Sequence, residues 1–340
     1  MITLQENVSL KSKNTFAIDS RARYYSSIQN EYQILSLLES NVFHKSKSYF
    51  LGGGSNSLFV DDYDGIVVHL ANRGISIVEN NKDFILLQVD AGVNWHKFVE
   101  ISLKNNYFGL ENLALIPGNV GGAIAQNIGA YGVELKKFVQ EVRGVDTNTG
   151  HFFELENQDC KFGYRSSIFK TDWKGTFIIT SAKFRLSKKP NVNLTYPELK
   201  KLVKKFPFVK PDPKYVFEQV CKLRTSKLPD IEKYPNAGSF FKNPIVNKKT
   251  YETIKQKFED LVFFELSSDA YKIPAGWLIE KAGWKGKRIG NVGTYTEHAL
   301  VIVNYGVKKG REILEFAKTI QNDVREKFGI ELEFEVEIVE

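Results

Sequence analysis

A serine stands between a glycine and two phenylalanines in PNAGSFFKNP, residues 235–244. Read alone, Ser239 is typical of a turn residue that precedes a pair of core phenylalanines. No GxSxG turn surrounds it, and none of the five histidines lies in a motif that would pair with it, so a nucleophilic role is disfavoured. A serine hydroxyl can still donate a proton to a strongly basic carbon in a site that excludes water.

Two glycine-rich segments could bring backbone amides close to a ligand. GGGSN at 52–56 follows an apolar strand, and PGNVGG at 117–122 opens a stretch dense in small residues. Consecutive glycines let N–H groups converge without Cβ interference, which suits a phosphate, and two such loops suit a dinucleotide with a ring system. The first loop matches neither GxGxxG before a helix nor a Walker A pattern. Tight turns and close backbone packing are the structural alternatives.

A third candidate is GYRSS at 163–167, where Arg165 follows a tyrosine and precedes two hydroxyl residues. A fixed guanidinium can bind a carboxylate through two hydrogen bonds and stabilise charge that builds on it. The alternative is a surface arginine at the end of a strand. The acidic segment ELEFEVEIVE at 331–340 supplies carboxylates, of which we expect at most one to point into a site.

Composition narrows the class of protein. The 340 residues are 42% hydrophobic and 26% charged, which predicts a globular protein of two or three domains. A net charge of +7 favours an anionic ligand, whereas the chain contains no zinc knuckle, helix-turn-helix or RNP motif that would indicate nucleic acid. Two cysteines cannot form a disulfide framework or a cysteine-rich metal site. With no signal-like start and no long apolar run, we expect a soluble cytoplasmic protein.

The pattern of elements predicts an α+β architecture in about three parts. Short strands and a helix are expected over 15–75, a helix at 94–106, a hairpin at 139–156 with DTNTG as its loop, and an amphipathic helix at 310–329 closed by a glycine C-cap. The lysine-rich segment 201–210 is interpreted as a solvated helix face. The terminal segment 331–340 is predicted to be a strand with one solvent-exposed face.

The motifs resemble, in order and at matching spacing, one known family. They are LGGGSNSLF, IPGNVGGAIAQNIGAYGVEL, FGYRSSIFK, SKLPD followed by NAGSFFKNP, AGWLIEKAGWKG and FGIELEFEV. The chain is similar, nearly end to end, to UDP-N-acetylenolpyruvoylglucosamine reductase, the flavoprotein of bacterial cell-wall synthesis often called MurB. NLTYPEL at 193–199 resembles the extra tyrosine loop of the longer subtype.

The resemblance implies an α+β fold with non-covalently bound FAD. Two N-terminal subdomains of the vanillyl-alcohol-oxidase type would hold the cofactor, at 1–75 and 76–220. A C-terminal α/β substrate-binding domain would follow at 221–330. The strand at 331–340 would then return to the FAD-binding part and the active site.

The resemblance also implies the reaction. NADPH reduces the flavin, whose N5 then delivers hydride to C3 of the enolpyruvyl ether of UDP-N-acetylglucosamine, while a proton goes to C2 and UDP-N-acetylmuramate forms. Ser239 matches the proton donor, and Arg165 and Glu335 match the pair that polarises the substrate carboxylate. Preorganised donors there would stabilise the negative charge, and Glu335 would help only if protonated or sharing a proton.

The other binding residues implied by the family form two sets. Asn119 stands where many relatives carry a small hydroxyl residue, and His298 receives no role. The implied protein is a cytoplasmic monomer of peptidoglycan synthesis, hence of cell-wall biogenesis, cell shape, cell cycle and cell division, with no nucleic-acid or membrane partner and no metal. The cofactor set is Gly52, Gly53, Gly54, Ser55, Asn56, Pro117, Gly118, Asn119, Gly121 and Gly122; the substrate set is Tyr164, Tyr196, Lys227, Asn243 and Lys285.

Two rival functions remain at this point. One is an FAD-dependent oxidase of the same flavin fold; such relatives often hold FAD through a histidine or cysteine, and neither glycine loop has one beside its glycines. The other is a non-catalytic nucleotide-sugar binder. Rapid reoxidation of the reduced protein by air would support the oxidase, and a colourless protein that binds no FAD would support the binder.

Overall fold

The computed structural model describes residues 2–205 and 211–340, with the side chains of 202–205 excepted. Of the segment 201–210, predicted to be a solvated helix face, residues 201–205 are helical, whereas residues 206–210 lie outside the described residues. Within the described part of the chain, no helix is both long enough and apolar enough to cross a membrane.

Strands and helices alternate along the chain. Four short 3-10 turns accompany them in the described residues. The strands are β1 (Gln5–Ser9), β2 (Arg21–Ile28), β3 (Lys47–Leu51), β4 (Ser57–Phe59), β5 (Tyr63–Leu70), β6 (Ile75–Asn80), β7 (Phe84–Asp90), β8 (Gly129–Ala130), β9 (Val133–Glu134), β10 (Val139–Asp146), β11 (Phe152–Glu156), β12 (Phe177–Ser187), β13 (Asn236–Ser239), β14 (Ile245–Asn247), β15 (Phe264–Ser267), β16 (Ala270–Lys272), β17 (Arg288–Ile289), β18 (Val292–Thr294), β19 (Val301–Asn304) and β20 (Glu337–Val339). The helices are α1 (Glu31–Leu38), α2 (Asn41–Lys45), α3 (Trp95–Lys104), α4 (Val120–Ala125), α5 (Pro197–Lys205), α6 (Pro213–Lys227), α7 (Lys248–Lys257), α8 (Ala275–Lys281) and α9 (Gly310–Phe328).

The chain divides into two compact units, and each contains segments that are distant in sequence. Unit 1 comprises Met1–Val8, Ala22–Gly53 and Asp64–Ser226. Unit 2 comprises Ser9–Arg21, Gly54–Tyr63 and Lys227–Glu340. The boundary at residues 53 and 54 falls inside the first glycine-rich loop.

Unit 1 is built on two large sheets and the two-stranded pair β8–β9. One has the strand order β1-β2-β5-β3, and the other is a five-stranded sheet of order β11-β10-β12-β7-β6. Helix α3 packs its apolar side into the core of this unit, with Trp95, Phe98 and Val99 buried. Asn94 fixes where α3 begins, because its side-chain oxygen accepts a hydrogen bond from the Lys97 N–H at 3.0 Å.

Unit 2 holds a second hydrophobic core. Its main sheet has the order β13-β19-β18-β17, a three-stranded sheet has the order β14-β16-β15, and β20 pairs in parallel with β4. Helix α9 buries one side, which includes Ile313, Ala317 and Ile320. It ends at Gly329, whose φ of 66° is the left-handed conformation that favours glycine at this position.

Several sequence predictions are confirmed by these elements. The hairpin predicted at 139–156 is the β10–β11 pair, in which Val145 lies opposite Phe152 across the predicted loop. The helices predicted at 94–106 and 310–329 are α3 and α9. The mixed helix and sheet content agrees with the α+β class.

The terminal segment differs from the prediction. Only β20 within 331–340 is a strand, and the residues before it form a single bridge between Phe334 and Phe241. The backbone of residues 333–335 instead forms two hydrogen bonds with residues 240–242. The Lys242 N–H donates to the Glu333 carbonyl and the Glu335 N–H donates to the Phe240 carbonyl, each at 2.8 Å.

Candidate functional site

The two glycine-rich loops meet within unit 1. A Cβ added to Gly53 would lie 2.7 Å from the Cα of Gly118 and 3.3 Å from the side-chain oxygen of Asn119. Real Cβ atoms do not approach backbone this closely, so the contact requires glycine at position 53. Gly118 itself has a φ of 109°, which a side chain would strain. The two loops therefore form one continuous backbone surface.

The second loop is anchored on one side and open on the other. The N–H groups of Val120 and Gly121 donate to the carbonyls of Val93 and Ala91 at 2.9 and 2.8 Å. A Cβ on Gly121 would lie 2.9 Å from the Ala91 Cβ, whereas a Cβ on Gly122 would meet nothing within 4 Å. This one-sided clearance fits a flat dinucleotide cofactor such as FAD, which needs close backbone approach without side chains in the way.

The remainder of the first loop belongs to unit 2. Gly54 has a φ of 63°, and a Cβ there would lie 1.9 Å from the Lys13 carbonyl oxygen, so only glycine fits. The side-chain amide of Asn56 donates to the Glu335 carbonyl at 3.0 Å, and the backbone carbonyl of Asn56 accepts from the Glu337 N–H at 2.8 Å. The loop is thereby tied to the C-terminal segment that carries a predicted catalytic residue.

Arg165 lies at a strained two-residue turn in unit 1. Gly163 and Ser166 exchange two backbone hydrogen bonds, and Arg165 has a φ of 52°, uncommon for a residue with a side chain. Its Nη2 donates to the Gly129 carbonyl at 2.7 Å, and its guanidinium carbon lies 5.4 Å from the centre of the Tyr164 ring. Backbone strain that the surroundings maintain is concentrated at functional sites.

The predicted tyrosine loop packs against a second strained turn of unit 1. Tyr131 and Gly132, with φ of 48° and 82°, form the turn between β8 and β9, as in a type I′ hairpin. The rings of Tyr131 and Tyr196 meet edge to face with centres 5.1 Å apart. Burial raises the pKa of Tyr131 to about 12, although the nearby Arg224 opposes the shift, so this phenol is a neutral hydrogen-bond donor at physiological pH.

Asn112 joins these two segments and was missed at the level of sequence. It is buried, and its amide nitrogen donates to the Tyr131 carbonyl at 2.9 Å and to the Asn193 carbonyl at 3.0 Å. Asn193 in turn donates to the Gly132 carbonyl at 3.2 Å. An asparagine in an apolar stretch, LENLALI, was the available signal, since buried amides are rarely left without partners.

Arg224 is a second residue that the sequence reading missed. It continues the buried side of α6 after Val216 and Val220 at four-residue spacing. Its Nε is buried without a hydrogen-bond partner. Burial lowers the pKa of Arg224, and Arg165 adds to that effect, so two guanidiniums share one neighbourhood.

Ser239 and Glu335 are brought together in unit 2. Ser239 ends β13, where it lies opposite Val301 of β19. The next residue, Phe240, donates to the Leu300 carbonyl at 2.9 Å and accepts from the Glu335 N–H at 2.8 Å. Phe240 is fully buried and packs edge to face on Phe334 at 5.5 Å. The two phenylalanines are therefore core residues, and the backbone of Phe240 holds Ser239 close to Glu335.

The predicted substrate-binding residues of unit 2 are more dispersed. Asn243 uses its side-chain oxygen to accept from the Ala275 N–H at 2.9 Å, at the start of α8. Lys285 is exposed and forms an ion pair with Glu280 at 3.2 Å. Lys227 is the last residue of α6. The candidate ligand contacts are therefore the amide nitrogen of Asn243 and the ammonium group of Lys285, whose ion pair with Glu280 a ligand could displace.

Comparison with known proteins identifies the family. A model of an FAD-binding domain matches residues 22–156, and a model of the C-terminal domain of UDP-N-acetylenolpyruvoylglucosamine reductase matches residues 230–339. The reductase of that name from Flavobacterium johnsoniae is 42% identical over 337 residues, which are 99% of either chain. The reductase of Pseudomonas aeruginosa is 40% identical over 332 residues, with 98% of either chain covered.

Solved structures support the fold. The crystal structure of UDP-N-acetylenolpyruvylglucosamine reductase from Thermus caldophilus aligns over 100% of both chains with a TM-score of 0.69 at 22% sequence identity. Full-length similarity to relatives near 40% identity, both domain matches and this shared fold lead to one conclusion. The chain belongs to the UDP-N-acetylenolpyruvoylglucosamine reductase family.

Proposed function

We propose that this protein is an NADPH-dependent flavoenzyme that reduces the enolpyruvyl ether of UDP-N-acetylglucosamine to UDP-N-acetylmuramate. The observation that carries the proposal is full-length membership of the reductase family, with the FAD-binding and reductase domains both matched. The family places the reaction in bacterial peptidoglycan synthesis. An oxidase on the same fold and a non-catalytic binder have no observation in their favour.

The glycine loops are proposed to hold FAD. Residues 52–56 and 117–122 offer backbone surfaces without side chains, and the clearance beside Gly122 leaves room for the cofactor. No histidine or cysteine lies beside these glycines, which supports non-covalent binding. When bound, FAD supplies the transfer of two electrons, as hydride, from NADPH to the enolpyruvyl group.

Three side chains are proposed to manage charge and protons at the reacting carbons. Arg165, fixed by the Gly129 carbonyl and by its own turn, is proposed to bind the substrate carboxylate. Glu335 is proposed to act with Arg165 in polarising the same carboxylate, since negative charge builds there as C3 accepts hydride. Ser239 is proposed to donate its hydroxyl proton to C2, and the buried Phe240 beside it supports a site poor in water.

Substrate binding is proposed to use cations and aromatic rings. Lys227, Lys285 and the amide of Asn243 are proposed to contact the diphosphate and uridine, in keeping with a net charge of +7. Tyr164 and Tyr196 are proposed to pack against the substrate. Arg224 adds a positive charge near Arg165, which favours anionic substrate groups there.

The organisation of the domains and the state of the protein are part of the same proposal. We keep the division into FAD-binding subdomains at 1–75 and 76–220, a substrate domain at 221–330 and a returning segment at 331–340. The protein is proposed to act as a cytoplasmic monomer without a membrane or nucleic-acid partner. Gel filtration with light scattering tests the monomer, for which a mass near 38.8 kDa is expected.

The proposed function is tested by purification, a visible spectrum and an NADPH oxidation assay. We expect a yellow protein with a flavin spectrum that oxidises NADPH rapidly only after addition of the enolpyruvyl nucleotide sugar. Oxidation that depends on O₂ and not on this substrate would contradict the proposal in favour of an oxidase. A colourless protein that binds no added FAD would contradict it in favour of a binder.

A further inference from the structure

The first turn of α3 holds the segment that leads into the second glycine loop. The indole N–H of Trp95 donates to the Leu113 carbonyl at 2.8 Å, and the backbone N–H of Trp95 donates to the Gly118 carbonyl at 3.0 Å. The side chain of Asn94 also reaches the Gly118 carbonyl, at 3.5 Å. Both ends of the segment 113–118 are therefore fixed by one short stretch of sequence.

His96 fixes the middle of the same segment. The Leu115 N–H donates to His96 Nδ1 at 3.1 Å. Leu115 has a φ of 57°, a conformation rarely adopted by a residue with a branched side chain. Because a backbone N–H can only donate, Nδ1 must be unprotonated, and the proton of the neutral ring lies on Nε2. The strained backbone just before Pro117 thus relies on an acceptor that protonation would remove.

The imidazole is held in place from two helices. Its ring stacks on Phe217 of α6, with centres 5.7 Å apart and planes 8° from parallel. On its own helix, Glu100 lies 3.5 Å from Nε2. Arg224 of α6 lies close enough to lower the pKa of His96, and Cys221 of the same helix lies near both Glu100 and Arg224. The segment 113–118, LALIPG, has no titratable side chain.

These charges decide which form of His96 is favoured. Burial lowers its pKa below the ordinary value of 6.5, Arg224 lowers it further, and Glu100 opposes the shift. The neutral ring is therefore the form present at pH 7 to 8. When the pH falls below 6.5, the unfolded chain binds a proton at this histidine. The folded protein either binds the proton at Nδ1 and loses the Leu115 hydrogen bond, or stays unprotonated and loses stability relative to the unfolded chain.

We propose that His96 is a positioning residue for the FAD-binding loop, and that its protonation releases Leu115 and weakens FAD binding. The proposal rests on the proposed assignment of the loop 117–122 to FAD. His96 touches neither cofactor nor substrate in this account and acts only through the backbone at 115–118.

Two substitutions separate the acceptor from the ring. His96→Asn keeps a side-chain acceptor close to the position of Nδ1 but cannot be protonated, whereas His96→Phe keeps the stacking on Phe217 and removes the acceptor. Fluorescence titration of FAD into the full-length apoprotein between pH 8 and pH 5.5 gives the dissociation constant of each variant. His151→Asn, in an exposed turn, is the matched control.

For the wild type and the His151→Asn control, we expect the FAD dissociation constant to rise about tenfold between pH 8 and pH 5.5. His96→Asn should bind FAD nearly as tightly as wild type at pH 8 and show no such rise, and His96→Phe should bind about tenfold more weakly at every pH. A wild-type constant that does not change with pH, or the same rise in His96→Asn, would overturn the inference.

Nuclear magnetic resonance supplies a readout that does not depend on the variants folding. The ring nitrogens of His96 in the wild-type protein should show an unprotonated Nδ1 and a protonated Nε2 at pH 7.5, with loss of the Leu115 amide hydrogen bond on acidification. A protonated Nδ1 at pH 7.5 would overturn the inference. Failure of the wild type to bind FAD at pH 8 would instead contradict the proposed function.

Discussion

The two units hold the residues in and around the candidate site by different means. In unit 1, Tyr131 and Arg165 lie in tight turns with left-handed backbone, and Leu115 precedes the glycine loop in the same conformation. In unit 2, Ser239 ends strand β13 and Glu335 lies in the irregular stretch before β20, and the hydrogen bond between the Glu335 N–H and the Phe240 carbonyl joins the two segments. Among the described residues of unit 2, Ala17 alone is a non-glycine residue in the left-handed region.

The difference indicates two kinds of sensitivity to substitution. Strained turns persist only where neighbouring groups over-determine them, so these turns of unit 1 depend on particular side-chain hydrogen bonds. In unit 2 the two segments are joined by backbone hydrogen bonds, which tolerate exchange of side chains. We therefore expect substitutions in unit 1 to alter binding geometry, and the serine substitution in unit 2 to remove one chemical step while leaving the fold intact.

The largest effect in unit 1 is expected for Arg165→Lys. Lysine keeps the charge but cannot offer two parallel hydrogen bonds, so reoxidation of the reduced flavin by substrate should slow about 100-fold. Stopped-flow absorbance measures this step. Arg23→Lys, at an exposed arginine paired with Asp64, is the control and should leave the rate unchanged. Equal rates for wild type and Arg165→Lys would contradict the role of Arg165.

A pair of glycine substitutions tests the loop contact. In Gly53→Ala the new Cβ would overlap the backbone of Gly118, so both apoprotein stability and FAD affinity should fall, the latter about tenfold. In Gly122→Ala the Cβ meets no protein atom within 4 Å, so apoprotein stability should be unchanged while FAD affinity falls. Thermal unfolding and FAD titration measure both. Unchanged FAD affinity in Gly122→Ala would show that the clearance is not used by the cofactor.

The smallest effect is expected for Asn112→Ala. Loss of the two hydrogen bonds to the Tyr131 and Asn193 carbonyls should loosen the tyrosine loop and raise KM for the nucleotide sugar about fivefold, with kcat little changed. Asn148→Ala, in the exposed β10–β11 loop, is the control. A fall in kcat with no change in KM would contradict a role in loop positioning.

Much of this organisation could be predicted from sequence, because the motifs consist of residues whose backbone needs are local. Glycine clusters predict close backbone approach, apolar spacing predicts α3 and α9, and the ordered motifs predict the family. The amino-acid sequence does not show which non-glycine residues adopt the left-handed backbone conformation. The strain at Leu115 and Arg165 is set by partners 19 and 36 residues away, His96 and Gly129.

The residues that were missed have a common physical reason. Asn112 joins carbonyls from two distant segments, and Arg224 has a buried Nε without a hydrogen-bond partner. Both properties depend on tertiary neighbours. The irregular stretch before β20 was missed similarly, because its alternation predicted a strand, while hydrogen bonds to residues 240–242 determine its actual course.

The central claim is that Ser239 supplies the proton in the second half of a flavin-dependent reduction. Stopped-flow absorbance can follow flavin reduction by NADPH and reoxidation by the enolpyruvyl nucleotide sugar separately, in wild type, Ser239→Ala and the exposed control Ser267→Ala. We expect Ser239→Ala to be reduced by NADPH within about twofold of the wild-type rate and reoxidised by substrate at least about 100-fold more slowly, with the control unaffected. Equal slowing of both half-reactions, or reoxidation at the wild-type rate, would contradict the account.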